Sequence, residues 1–65
     1  MLWVENGSRK VRVWVTEDEA NLCEWLGAAI VLDVLERRKL LSNLVGDEDP
    51  RQVAERLNFT VMNEV

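Results

Sequence analysis

From Lys10 to Val15 the chain alternates, with Val11, Val13 and Val15 on one side and Lys10, Arg12 and Trp14 on the other. A period of two puts the valines on the buried face of a half-covered strand. Upstream, Leu2 and Val4 alternate with Trp3 and Glu5, and Asn6-Gly7 between the runs supplies residues that tolerate positive φ. Residues 2 to 15 therefore read as a β-hairpin. Two registers are open. A tight loop at Asn6-Gly7 sets Val4 opposite Arg9 and Trp3 opposite Lys10. A longer loop, Asn6 to Arg9, pairs Glu5 with Lys10, Val4 with Val11, Trp3 with Arg12 and Leu2 with Val13. The longer loop is preferred, because its opposite-charge, cation–π and two apolar pairs each contribute roughly 0.2–1 kcal/mol.

The period then changes. Thr16 followed by Glu19 is a capping box, and Glu17, Asp18 and Glu19 place negative charge at a helix N-terminus. From Ala20 to about Leu44 only Gly27 interrupts the helical pattern, beside Ala28 and Ala29, which predicts a kink or a close helix contact rather than a turn. Gly46 can cap the end. Asp49-Pro50-Arg51-Gln52 opens a short helix to about Leu57, with Asp49 as N-cap and Pro50 at the first helical position. Phe59, Val61 and Val65 alternate with Thr60, Met62 and Glu64 and suggest a last strand, whose apolar face Asn63 interrupts. The predicted architecture is a small α+β domain of order β-β-α-α-β, residues 1–65 as one unit. In it the hairpin and the C-terminal strand form an antiparallel sheet packed on one long, kinkable helix and one short helix.

A helix from Glu17 to Leu44 would reach about 40 Å, whereas a compact chain of this length has a radius of gyration of about 11 Å. It must overhang or break near Gly27. Trp25 to Leu35 is apolar nearly all round, which suits a helix covered on more than one side. The expectation drawn from this is a homodimer, with Leu26, Gly27, Ala29, Ile30, Val34, Leu41 and Leu44 at the interface and the small residues allowing close backbone approach. The alternative is a monomer whose helix breaks at Gly27 and folds its halves over the sheet.

Composition narrows the chemistry. Cys23 is the only cysteine and histidine is absent, which excludes a disulfide staple and a His/Cys metal site and leaves Cys23 without its usual activating base. Asp33, the one charge in the apolar run, has Arg37 at i+4 as its expected partner. Asp47-Glu48-Asp49 lacks the spacing of a calcium loop, and no glycine-rich phosphate loop is present. No catalytic residue, cofactor or metal is expected. Ile30-Val31-Leu32 is too short a run to span a bilayer and Met1-Leu2-Trp3 leads into charged residues, so a soluble cytoplasmic chain without a membrane partner is the default.

Net charge is −4, but it is segregated: residues 1–16 carry +2, 17–36 carry −6, 37–39 carry +3 and 47–65 carry −3. Arg9, Lys10 and Arg12 with Trp14, joined by Arg37, Arg38 and Lys39, form the basis of a nucleic-acid-binding alternative. Asp49 to Thr60 resembles the opening helix and turn of a helix-turn-helix, yet the following "VMNEV" offers no base to touch phosphate. The preferred expectation is a small acidic, non-enzymatic protein-interaction module, an adaptor or an inhibitor-like regulator. Its partner-binding residues would be Trp3, Arg12 and Trp14 on one sheet face, with Glu17 and Asp18 in the acidic turn, since Trp and Arg dominate interface hot spots.

Overall fold

A computed structural model describes residues 1–62. Strands β1 (Leu2–Asn6), β2 (Arg9–Val13) and β3 (Asn58–Val61) form an antiparallel sheet in the order β2-β1-β3. Between β2 and β3 lie four helices, α1 (Glu17–Leu26), α2 (Ala28–Arg37), α3 (Leu41–Val45) and α4 (Pro50–Arg56). The fold is α+β as expected, with the N-terminal strand in the centre of the sheet. Asn63, Glu64 and Val65 of the expected last strand lie outside the described residues.

The hairpin has the preferred pairing, Leu2 with Val13, Trp3 with Arg12, Val4 with Val11 and Glu5 with Lys10. The loop is tighter than expected, because Asn6 pairs with Arg9 and only Gly7-Ser8 turns. Gly7 has φ 61° and Ser8 stays at negative φ, the signature of a type II′ turn, whose twist matches that of the strands. Asn6 is thus a strand residue. By alternation Leu2, Val4 and Asn6 face the helices with Val11 and Val13, and so does Arg9.

The expected single helix is instead three. Gly27 adopts φ 84°, ψ −148°, a region essentially closed to residues with a Cβ, and its N–H closes α1 on the Cys23 carbonyl at 2.9 Å. A Cβ placed on Gly27 would meet nothing within 4 Å. The glycine is there for its backbone angle, and no neighbouring helix approaches it closely among the described residues. The second break, at Arg38-Lys39-Leu40, carries no glycine. Lys39 takes φ 60°, its N–H donates to the Glu36 carbonyl at 3.0 Å, and the Leu40 N–H donates to the Leu35 carbonyl at 2.8 Å. This is a Schellman motif with lysine in the left-handed position.

Broken twice, the helices cover one face of the sheet. The core is Leu2, Val4, Val11 and Val13 of the sheet with Cys23, Val31, Val34, Leu35, Leu44, Val45 and Val53 of the helices. Val34 and Leu44, expected in a dimer seam, are buried in this chain's own core. Ile30 and Leu41 pack against that core, while Leu26 and Ala29 are exposed. The chain breaks at Gly27 and folds its helices over the sheet, as one of the two expectations had it, and breaks again at Arg38-Lys39-Leu40. Its radius of gyration is 10.7 Å.

The inward polar residue Asn6 is completely partnered. Its Nδ2 donates to the Leu44 carbonyl at 2.9 Å and to Glu48 Oε2 at 3.0 Å, and its Oδ1 accepts from Arg56 Nε at 3.1 Å. Arg56 in turn pairs with Glu48. Arg9 lies at the same end, its guanidinium against Gly46, in space that a Cβ at that position would occupy. Among the described residues no buried side-chain nitrogen or oxygen lacks a hydrogen-bond partner.

Candidate functional site

The open sheet face carries Lys10 and Arg12 of β2, Trp3 and Glu5 of β1, and Asn58 and Thr60 of β3, by the strand alternation and pairing. Arg12 sits over the Trp3 ring, its guanidinium carbon 5.1 Å from the centroid. Lys10 is across the ladder from Glu5. Trp3 and Glu5 border a shallow hollow of about 210 Å³ with Asn58, Thr60 and Met62. Trp3 and Arg12 are therefore brought together as expected. Arg9 is not part of this surface, since it points to the helix-covered side.

Trp14 stands past the end of β2 and is 64% exposed. It borders a second, larger hollow of about 560 Å³, between the end of the sheet and α1, with Met1, Thr16, Glu17, Ala20, Asn21, Glu24 and Met62 around it. Met62 borders both hollows, so the two adjoin at that residue. Of the expected partner-binding set, Trp14 and Glu17 share the larger hollow, Trp3 lies on the smaller one, and Asp18 borders neither.

The capping box fixes the first turn of α1. Glu19 N–H donates to Thr16 Oγ1 at 3.1 Å and Thr16 N–H donates to Glu19 Oε1 at 2.9 Å. Both Glu19 oxygens also accept from Arg38, at 2.9 and 2.6 Å, a fork that ties the start of α1 to the end of α2. The Arg38 hydrogen bonds first, then that of Thr16, hold the Glu19 carboxyl down from 4.5 to about 2. Arg38 is held up by the same carboxylate.

Cys23, one turn on, is fully buried, and burial with the nearby Glu19 charge pushes its thiol up, away from the thiolate that nucleophilic chemistry needs. Asp33 forms the expected i,i+4 pair with Arg37 at 3.0 Å on a solvated face. Asp49 caps α4 by accepting from the Arg51 N–H, and Glu48 serves Arg56. Among the described residues no group of three or more potential ligands could hold a metal ion, and no helix is long and apolar enough to cross a membrane. The resemblance of Asp49 to Thr60 to a helix-turn-helix ends in β3, because Asn58 to Val61 pair with β1 instead of starting a recognition helix.

The outer side of α1 is the surface that sequence reasoning passed over. Cys23 marks the core-facing line, and at about 100° per residue Trp25 falls on the opposite side, with Leu22 about 60° and Leu26 about 100° round from it towards one edge. Trp25 is 80% exposed, Leu26 52% and Leu22 41%. The signal was available in the positions of these residues relative to Cys23, but it is masked when Trp25 to Leu35 is taken as one continuous buried helix. The chain matches no protein-family model, no curated protein and no solved structure.

Proposed function

We propose that the chain is a small acidic, non-enzymatic protein-interaction module, a cytoplasmic homodimer that acts as an adaptor or as an inhibitor-like regulator of another protein. One observation carries this reading: Trp25 stands almost free on α1, and Leu22 and Leu26 on the same outer side are each part-exposed. Adjacent exposed large apolar side chains mark contact surfaces, and tryptophan is the residue most enriched at binding hot spots. The seam moves accordingly. Of the interface first expected, Leu26 and Ala29 are exposed, one on each side of the Gly27 break, and the proposed seam takes them together with Leu22 and Trp25. Two copies meeting there about a two-fold axis would each cover the other's apolar corner.

The distribution of cations favours this over nucleic acid. Arg12 is taken up by Trp3, Arg37 by Asp33, Arg38 by Glu19 and Arg56 by Glu48, and Arg9 lies against Gly46 on the opposite side from Lys10. A polyanion needs several phosphates neutralised at once. Light scattering during gel filtration tests the dimer: a two-chain mass is expected at micromolar concentration, reduced to one chain by Trp25→Glu. A one-chain mass for the wild type throughout that range would overturn it.

A further inference from the structure

The larger hollow suggests what kind of partner the module takes. Trp14 borders it with its indole largely uncovered, and Glu17 and Glu24, two turns apart on α1, border it from the helix. Among the described residues neither carboxylate takes part in an ion pair, unlike Glu19, Asp33 and Glu48, which are all engaged elsewhere. The ammonium of Met1, which also borders the hollow, donates to the Met62 carbonyl at 2.9 Å and, among the described residues, forms no ion pair with a carboxylate. An accessible indole, two unengaged carboxylates and the side chains of Met1 and Met62 around one hollow are complementary to a long side chain with an apolar stem and a cationic head.

We propose that this hollow binds a lysine or arginine side chain of a basic segment in the partner protein, with the head between Glu17 and Glu24 and the stem along Trp14 and Met62. The inference rests on the protein-interaction reading above but concerns a different side of α1. Here Glu17, Ala20, Asn21 and Glu24 form the wall, whereas Leu22, Trp25 and Leu26 form the self-association corner.

The direct test is a titration of the ¹⁵N-labelled full chain with acetyl-Gly-Lys-Lys-Gly-amide and its arginine counterpart. The glutamine counterpart and free spermidine serve as controls. The expected result is a shift of the Trp14 indole N–H and of the Ala20 and Glu24 amides with the lysine or arginine peptide. The glutamine peptide should produce none, and added salt should weaken the response because the head group is bound through charge. The double variant Glu17→Gln, Glu24→Gln should lower affinity at least tenfold, with Glu55→Gln on the exposed side of α4 unchanged. These are surface substitutions, and an unaltered remainder of the spectrum shows that the fold is kept. An unmoved Trp14 indole, equal binding of the glutamine peptide, or undiminished binding by the double variant would overturn the proposal. Tighter binding of spermidine than of either peptide would overturn the assignment to a protein segment. Failure here with the Trp25-dependent dimer intact would leave the interaction module standing and remove only its basic partner.

Discussion

Where the hairpin turns, the polar side chain that enters the core is answered; where the strands finish, large apolar and acidic side chains are left uncovered. At the first end Asn6, Glu48 and Arg56 close a network that joins β1 to the α3–α4 loop and to α4. At the second, Trp14, Met62, Glu17 and Glu24 surround an open hollow, and Trp25 points away from the body of α1. Glutamate is common to both ends. The difference is whether the groups are spent on the fold: Glu48 is held by Asn6 and Arg56, whereas Glu17 and Glu24 take part in no ion pair among the described residues.

The comparison breaks most readily at Asn6. Asn6→Ala removes the donor and acceptor that serve Leu44, Glu48 and Arg56, leaving a buried carbonyl without its partner. The expected loss is about 2–3 kcal/mol, a large share of what a chain this size has in hand. Trp14→Ala at the open end should stay within about 0.5 kcal/mol of wild type, as exposed side chains usually do. Urea midpoints of the two variants measure the contrast, and equal losses would dissolve it.

A smaller effect separates the ends by pH. The Glu19–Arg38 fork fastens α1 at the open end. Its folded carboxyl titrates near 2 against an ordinary 4.5. The stability it contributes is therefore complete above about pH 4.5 and is lost as the pH falls towards 2. Glu19→Gln should cost about 1–2 kcal/mol near neutrality, the range for a charge-assisted pair that is partly solvated. The gap between variant and wild type should close in acid. Amide exchange in wild type at pH 3 should quicken in α1 before it does in β1 or α4. A gap that is constant with pH would deny the fork its role.

Much of the fold was legible in the sequence. Alternation and cross-strand pairing gave the hairpin register, Thr16 and Glu19 the capping box, and Asp49 with Pro50 the start of α4, because each of these signals is local. The depth of Asn6 was not legible. A residue that is a good turn former was read as turn, and only the Gly7-Ser8 turn placed it one position earlier, in the strand and facing inward. The open end was harder. Trp3, Arg12 and Trp14 were expected on one face, yet Trp14 lies past the last paired residue of β2 and faces the hollow beside α1. Trp25 and Leu22 were hidden by the assumption of one long helix, whose apolar residues in fact divide between α1 and α2 and bury different faces.

The smallest expected effect concerns the break that assumption missed. Nothing in Arg37-Arg38-Lys39-Leu40 signals a stop, since the left-handed position at the end of α2 holds lysine where glycine is preferred. The chain turns there because Leu35 and Leu44 both reach the core, and in a straight helix Leu44, nine residues on at about 100° each, would face the side opposite Leu35. Burial of one leucine contributes about 1.5–3 kcal/mol, more than the roughly 1 kcal/mol that a left-handed lysine costs. Lys39→Gly should recover part of that strain and raise stability by about 0.5–1 kcal/mol, visible as a higher urea midpoint at unchanged slope, because the lysine side chain itself is exposed. A loss instead of a gain would mean that Lys39 holds the turn by a contact of its side chain rather than yielding to the packing on either side of it.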